Sequence, residues 1–194
     1  MTSTRDKILE CARSLFNERG INEVSIADIA RAASISKGNL TYHFAKKELI
    51  VEALVLRSDQ MPALSVATTL EDVVNNLAHM QKVVQDNAFY FRHYAQVAQL
   101  VPRVAQQQKK AYAFYRAVMR KSFEELSRRG VLRDHVRAEE IDRTIDAMFM
   151  TCVFWLPFSE LKGSKDTQQA LQQCAFYLEL LLNEEGKTRL ASLL

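Results

Sequence analysis

The stretch from Ser25 to Glu48, SIADIARAASISKGNLTYHFAKKE, limits the possible folds of this chain more than any other part of it. Ser25 is an N-cap residue with Asp28 three positions on, close to a capping box, and Val24 precedes it as a staple residue. Ile26, Ile29, Ala30 and Ala33 then recur at helical spacing and give one apolar face. The alanines at 30, 32 and 33 let a second helix come close. Ser34 falls where the chain must turn, and Ile35 can plug the angle. Ser36 is a second N-cap, opening a short helix at Lys37 in which Leu40 and Phe44, four apart, face inward. Lys37, Gly38, Asn39, Thr41, Tyr42 and His43 are left for the outside. Glycine weakens a first helical turn, so Gly38 makes sense if something large, such as a sugar–phosphate backbone, approaches it.

The charge pattern sharpens this. No acidic residue lies between Asp28 and Glu48, whereas Arg31, Lys37, His43, Lys46 and Lys47 do. Residues 1–50 hold 8 Lys/Arg against 6 Asp/Glu, which is +2 of the chain's net +3, so the basic signal is a local patch. Two short capped helices with a cationic outer face suit the DNA major groove and its phosphates. Lys46 and Lys47 open the next helix, where lysine is opposed by the macrodipole. A phosphate nearby would remove that penalty and points to Lys47 as a backbone contact.

On the string SIADIARAASISKGNLTYHFAKKELI, and most specifically on Ser36-Lys37-Gly38-Asn39-Leu40 with Tyr42-His43-Phe44, the chain resembles the TetR (tetracycline-repressor-like) family of bacterial transcription regulators. Residues 4 to 20 fit that family's first helix, and the strong match covers about the first quarter of the chain. Two positions depart. Ser34 stands where the family usually has glycine, so the turn is either strained or held by a side-chain hydrogen bond. Thr41 stands where an aromatic residue is common, which implies one altered DNA contact.

Beyond this unit the chain reads as all-α. Glycine and proline number 5 and 3, and strand-like alternation is absent. The first helix covers residues 4–19, with Ile8, Ala12, Leu15 and Phe16 inward and Gly20 as its stop. The helix from about 46 to 60 turns Leu49, Ile50, Ala53 and Leu54 inward and ends at Met61-Pro62. Thr69 and Asp72 cap a helix to about Gln85, and Asn87 can cap an aromatic segment. A long helix runs from Pro102 to Arg129 and stops at Gly130. Two more cover about 138–161, broken or kinked near Pro157, and about 166–184. Met148 to Leu156 is apolar nearly all round, as in helices buried on several sides. The resemblance implies that these last two helices pair with those of a second copy in a four-helix bundle.

The expected organisation is therefore an N-terminal three-helix, helix-turn-helix DNA-binding domain, residues 1–50, followed by a helical effector-binding and dimerisation domain, residues 51–194. Candidate DNA-binding residues are Lys37, Gly38, Asn39, Thr41, Tyr42, His43 and Lys47. Lys37 and Lys47 suit phosphates, Tyr42 and His43 the backbone, and Asn39 and Thr41 base edges, since asparagine pairs with adenine and a threonine methyl meets thymine. Candidate ligand-binding residues, on aromatic and methionine content, are Phe89, His93, Tyr94, Tyr112, Tyr115, Met119, Met148, Cys152 and Trp155. The resemblance implies a small apolar or aromatic effector.

Other classes find little support. The four histidines are scattered, without HExxH or Cys/His metal spacing, and no phosphate-binding glycine loop or nucleophile elbow is present. No catalytic residue, metal ligand or cofactor is expected. No apolar run approaches ~18 residues, so no membrane span is expected, and no signal peptide is evident. Cys11, Cys152 and Cys174 read as reduced thiols on apolar faces of a cytoplasmic protein. The expected function is a homodimeric repressor on double-stranded operator DNA, with half-sites about 34 Å apart, released by an effector. A small-molecule-binding helical protein without DNA-binding activity is the alternative.

Overall fold

The computed structural model describes residues 3–56, 64–163 and 168–194. Its regular structure is helical: α1 Thr4–Arg19, α2 Ile26–Ala32, α3 Lys37–His43, α4 Lys47–Val55, α5 Leu70–Asp86, α6 Ala88–Arg92, α7 Tyr94–Leu100, α8 Pro102–Arg128, α9 Ala138–Leu161, α10 Gln168–Glu179 and α11 Glu184–Ala191. Among the described residues the extended pairing is a single antiparallel bridge, Leu132 with Leu182. The chain is all-α, as its residue pattern requires.

Two compact units form, residues 1–61 with 87–108, and residues 62–86 with 109–194. The first has a core of Ile8, Leu9, Ala12 and Phe16 from α1, Ile29 and Ala30 from α2, Leu40 and Phe44 around α3, and Ile50, Val51 and Leu54 from α4. Phe89, Val97, Val101 and Val104 close the same core. Phe89 packs on Phe16 with ring centroids 5.6 Å apart, and its backbone N–H donates to Asn17 Oδ1 at 2.8 Å. In the second unit α5, α9 and α10 pack around Leu77, Met119, Phe123, Met148 and Cys174. Arg116 and Arg120 of α8 both pair with Asp142 of α9, and the Tyr112 hydroxyl donates to Asp146 at 2.6 Å.

Several local expectations hold and others need correction. The Thr69–Asp72 cap forms in both directions, Asp72 N–H to Thr69 Oγ1 at 3.1 Å and Thr69 N–H to the Asp72 carboxylate at 2.9 Å. Hydrogen bonds donated to it by Thr68, and by Thr69 after it, hold the Asp72 carboxyl below its ordinary range. Leu49 is 38% exposed, and Val51 takes the inward place expected of it. The helix expected over about 138–161 forms as Ala138–Leu161, and Pro157 does not break it. The helix expected over about 166–184 stops at Glu179, and a further helix, α11, follows it. Arg133 N–H donates to the Leu181 carbonyl and Asn183 N–H to the Val131 carbonyl, which pulls residues 181–183 out of helical pairing. Asn183 then caps α11, accepting from Gly186 N–H at 2.8 Å. The helix expected to run to about 60 ends at Val55, with Leu56 as its C-cap, and the expected stop at Met61-Pro62 and the start at 166 lie outside the described residues.

Ser34 resolves one of the two departures noted in the sequence. Ile35 N–H reaches the Ala30 carbonyl and Ser34 N–H the Arg31 carbonyl, both at 3.0 Å, the two bonds of a Schellman stop. That stop places its C′ residue in the left-handed region, and Ser34 sits there at φ 55°. The end of α8 repeats the same pair of bonds with Gly130 at C′, φ 69°. A serine there carries a Cβ penalty that glycine avoids. Ser34→Gly is therefore expected to stabilise the protein by about 0.5–1 kcal/mol, the relief being partly offset by unfolded-state entropy. A thermal melt checks this; an unchanged or lower midpoint contradicts the strain.

Candidate nucleic-acid interface

The exposed face of α3 is held from below and at both ends. Its N-cap, Ser36, accepts from Asn39 N–H at 3.1 Å. Leu40 and Phe44 are buried in the first core, so the helix cannot roll without exposing them. The Arg5 guanidinium lies over the Phe44 ring, 5.0 Å from its centre. Preceding it, α2 starts with a full capping box: Asp28 N–H to Ser25 Oγ at 3.2 Å, and Ser25 N–H to the Asp28 carboxylate at 3.0 Å. The Ser25 hydrogen bonds keep the Asp28 carboxyl below its usual range. The Schellman turn at Ser34 then fixes the angle between α2 and α3.

What this scaffold presents is polar and cationic. Lys37, Gly38 and Asn39 are exposed, and Tyr42 is 86% exposed, although it is a large aromatic side chain. His43 is half-buried, edge-on to Tyr42 with centroids 5.3 Å apart. Thr41 is half-buried and its hydroxyl donates to the Gly38 carbonyl at 3.0 Å. Its hydrogen-bond donor is thus used within the helix, and the methyl group is what remains for an apolar contact. Arg31 and Lys46, which the reading of single contacts passed over, are both exposed and extend the cationic rim. The absence of acid between residues 28 and 48 was the signal that carried them.

Gly38 has no internal explanation. It is helical, and a Cβ built there would meet nothing nearer than Ser36 Oγ at 3.9 Å. Space on the protein side is open, so packing within the chain does not account for the missing side chain.

Lys47 is placed differently from the phosphate role expected of it. Its ammonium donates to the carbonyls of Ile21 at 2.7 Å, Val24 at 3.0 Å and Asn22 at 3.5 Å. The macrodipole penalty at the start of α4 is met within the chain by three carbonyl dipoles of the α1–α2 loop, which ties α4 to that loop. Lys47→Ala should lower stability by about 1–2 kcal/mol, the scale of charge-assisted hydrogen bonds. It should also leave the salt slope of DNA binding unchanged, since no phosphate contact is lost. Denaturant melts and salt titrations measure the two, and a slope smaller by about one unit would return Lys47 to phosphate.

The nine candidate ligand residues are divided between the two units. Phe89, His93 and Tyr94 lie in the first unit, where Phe89 is core. The other six lie in the second unit. Met119 and Met148 are fully enclosed there, and Tyr112 and Tyr115 pack against Phe149 at 5.0 and 5.3 Å. Burial raises the Tyr115 hydroxyl well above its ordinary pKa, and it has no hydrogen-bond partner. Cys152 and Trp155 alone of the nine line a cavity between α5, α9 and α10, together with Leu77, Val84, Leu171 and Cys174. Its volume is about 10 Å³, close to one water.

Comparison with known proteins follows the same division. A family model described as bacterial regulatory proteins, tetR family, matches residues 8–54, and one described as bacterial transcriptional repressor matches residues 51–183. The HTH-type transcriptional regulator UidR of Escherichia coli (strain K12) is 40% identical over 62 residues, 32% of this chain and 31% of that one. The HTH-type transcriptional repressor KstR2 of Mycobacterium tuberculosis (strain ATCC 25618 / H37Rv) is 42% identical over 55 residues, 28% of each chain. The chain thus spans about a third of the length of the curated relatives it matches. A TetR-family transcriptional regulator from Marinobacter aquaeolei VT8 has the same fold, with TM-score 0.83 at 22% identity over 98% of this chain and 97% of its own. SmeT, repressor of the Stenotrophomonas maltophilia multidrug efflux pump SmeDEF, has TM-score 0.66 at 16% identity, covering 94% and 92%.

Proposed function

The chain belongs to the TetR family of bacterial transcription regulators, and from that premise we propose that it is a homodimeric repressor that reads a near-palindromic operator with α3 and leaves it when a small apolar molecule binds. The single observation that carries the reading is the inversion along α3: Leu40 and Phe44 are enclosed while Lys37, Gly38, Asn39 and Tyr42 stand in solvent. It is a regulator and not an enzyme. Residues 1–50 supply the DNA contacts; residues 51–194 supply the effector cavity and the dimer face. Lys37 pairs with phosphate, aided by Arg31 and Lys46, and Tyr42 and His43 donate to the backbone. Asn39 and the Thr41 methyl meet base edges.

Dimerisation is supported by an apolar stripe. Met150, Phe154, Phe158 and Leu161 recur at spacings of four, four and three on α9, all exposed, and Phe176 on α10 and Leu180 just past its end are exposed as well. A two-fold bundle of these helices would cover them. The cavity wall is shared by these two helices and α5. At about 10 Å³ it is far below the ~300–1,000 Å³ of filled ligand sites, so an effector seated there has to part α5, α9 and α10. Parting α9 from α10 alters the dimer face and hence the half-site spacing. A coupling of about 1–3 kcal/mol gives roughly 5- to 150-fold release.

Selection of bound duplexes from a random pool, repeated at rising salt, tests the proposal. A two-fold related motif with salt-sensitive affinity supports it. Saturable binding of an apolar ligand with no DNA retained favours a helical ligand-binding protein instead.

A further inference from the structure

Arg5 differs from three other arginines of the first unit. Arg13 pairs with Glu10 at 2.6 Å, Arg31 with Asp28 at 3.2 Å and Arg103 with Glu52 at 2.6 Å. The Arg5 guanidinium has no carboxylate partner among the described residues, and what positions it is the Phe44 ring, 5.0 Å away. Phe44 is the C-cap of α3 and is 3% exposed, so the ring does not move apart from that helix. A planar cation resting on it keeps its place relative to α3, while the Arg5 side chain stays exposed. The start of α1 is already capped: Ser3 Oγ accepts from Asp6 N–H at 3.1 Å and donates to the Asp6 carboxylate at 2.7 Å. The side chain, and not the helix end, is what remains available.

Arg5, His43 and Phe44 line one surface hollow of about 480 Å³, together with Leu49, Glu52 and Arg103. The Glu52 carboxylate is the acid of that lining, and Arg103 already holds it. Two arginines against one glutamate leave the hollow cationic even with His43 neutral. His43 belongs to α3, so the hollow opens on the flank of that helix. An α-helix with its side chains is about 10–12 Å across, and the major groove is about 12 Å wide. A helix seated there has a sugar–phosphate strand along each flank, and cations on the flank meet phosphate.

We propose that Arg5 contacts a backbone phosphate of the operator, taken into the hollow that its guanidinium shares with His43. The guanidinium is a planar fork of N–H donors and suits two phosphate oxygens at once. Arg103 keeps Glu52 from repelling that phosphate. Such a contact fixes the register of α3 in the groove and carries no base preference. The proposal rests on the operator reading of α3 and extends the DNA-facing surface to α1.

The test is a salt titration of duplex binding by the full-length protein, on a selected duplex and on a scrambled one of the same length. Arg5→Ala, Arg5→Lys and Arg19→Ala are measured beside the unaltered chain. Arg19 closes α1 at its other end, roughly 21 Å from Arg5 at about 1.5 Å per residue and well beyond the ~8 Å Debye length. Arg5→Ala should weaken binding to both duplexes by about 10-fold and lower the salt slope by about one unit per subunit. Arg5→Lys should keep the slope and lose only several-fold in affinity, and Arg19→Ala should match the unaltered chain. Saturation stoichiometry on each preparation separates misfolded chain from weakened binding. An unchanged slope in Arg5→Ala overturns the contact while the unaltered chain's own binding leaves the operator reading standing. The contact is equally overturned if Arg5→Lys loses as much as Arg5→Ala, since packing on Phe44 is then the whole role. A loss confined to the selected duplex, or shared by Arg19→Ala, overturns it too. An unaltered chain without salt-sensitive duplex affinity removes both readings together.

Discussion

A Phe154→Glu protein should sediment as a monomer at micromolar concentration, with operator affinity lower by about 100-fold or more. Phe154 sits mid-stripe on α9, 43% exposed, between Met150 and Phe158. Because it is exposed in the single chain, the substitution leaves the second core intact, and helical content should not change. In a two-fold bundle the same side chain is buried in both copies. The variant therefore places two carboxylates where no counter-charge is provided, at several kcal/mol. Loss of the dimer converts two linked half-site contacts into one. That forfeits the effective concentration of the second site, typically worth 10²–10⁴ in affinity. A Phe154→Glu protein that remains dimeric and binds the operator normally would remove α9 from the proposed interface.

The second large effect separates stability from function at one residue. Gly38→Leu should stabilise α3 by about 1 kcal/mol, because leucine is the better helix former and the added Cβ meets only open space. Operator affinity should nevertheless fall by about 100-fold, some 2.8 kcal/mol, because the side chain projects where the nucleic-acid backbone approaches. Gly38→Ala should fall between. Thermal melts and binding isotherms on the same preparations measure both. If Gly38→Leu binds as the unaltered chain does, the glycine is not there for DNA, and α3 presents a different side to whatever it meets.

Much of the first unit was legible because its determinants are local. The Ser25–Asp28 box, the Ser36 cap, the four-residue spacing of Leu40 and Phe44, and the anomalous serine at 34 all act within one or two turns of helix. Sequence periodicity reports such interactions directly. What it could not report was long-range. Lys47 reads as a free cation until the carbonyls of residues 21–24 are seen around its ammonium. Phe89 reads as a pocket aromatic, but Phe16, far away in sequence, makes it core. Residues 181–183 read as helix, and backbone pairing with Val131 and Arg133 draws them out of it. Aromatic content marked where burial is dense, and did not distinguish a filled interior from a cavity.

The central claim is that the outer face of α3 reads base edges, and Asn39 is the side chain best placed to show it. It is exposed, and only its backbone N–H is engaged by the Ser36 cap. Selection from a random duplex pool should be run in parallel with the unaltered chain and with Asn39→Ala. The account predicts that preference relaxes at one base pair in each half-site, the two positions related by the two-fold, with a cost of about 1–3 kcal/mol for the unaltered site. Identical selected sequences from both proteins would contradict it.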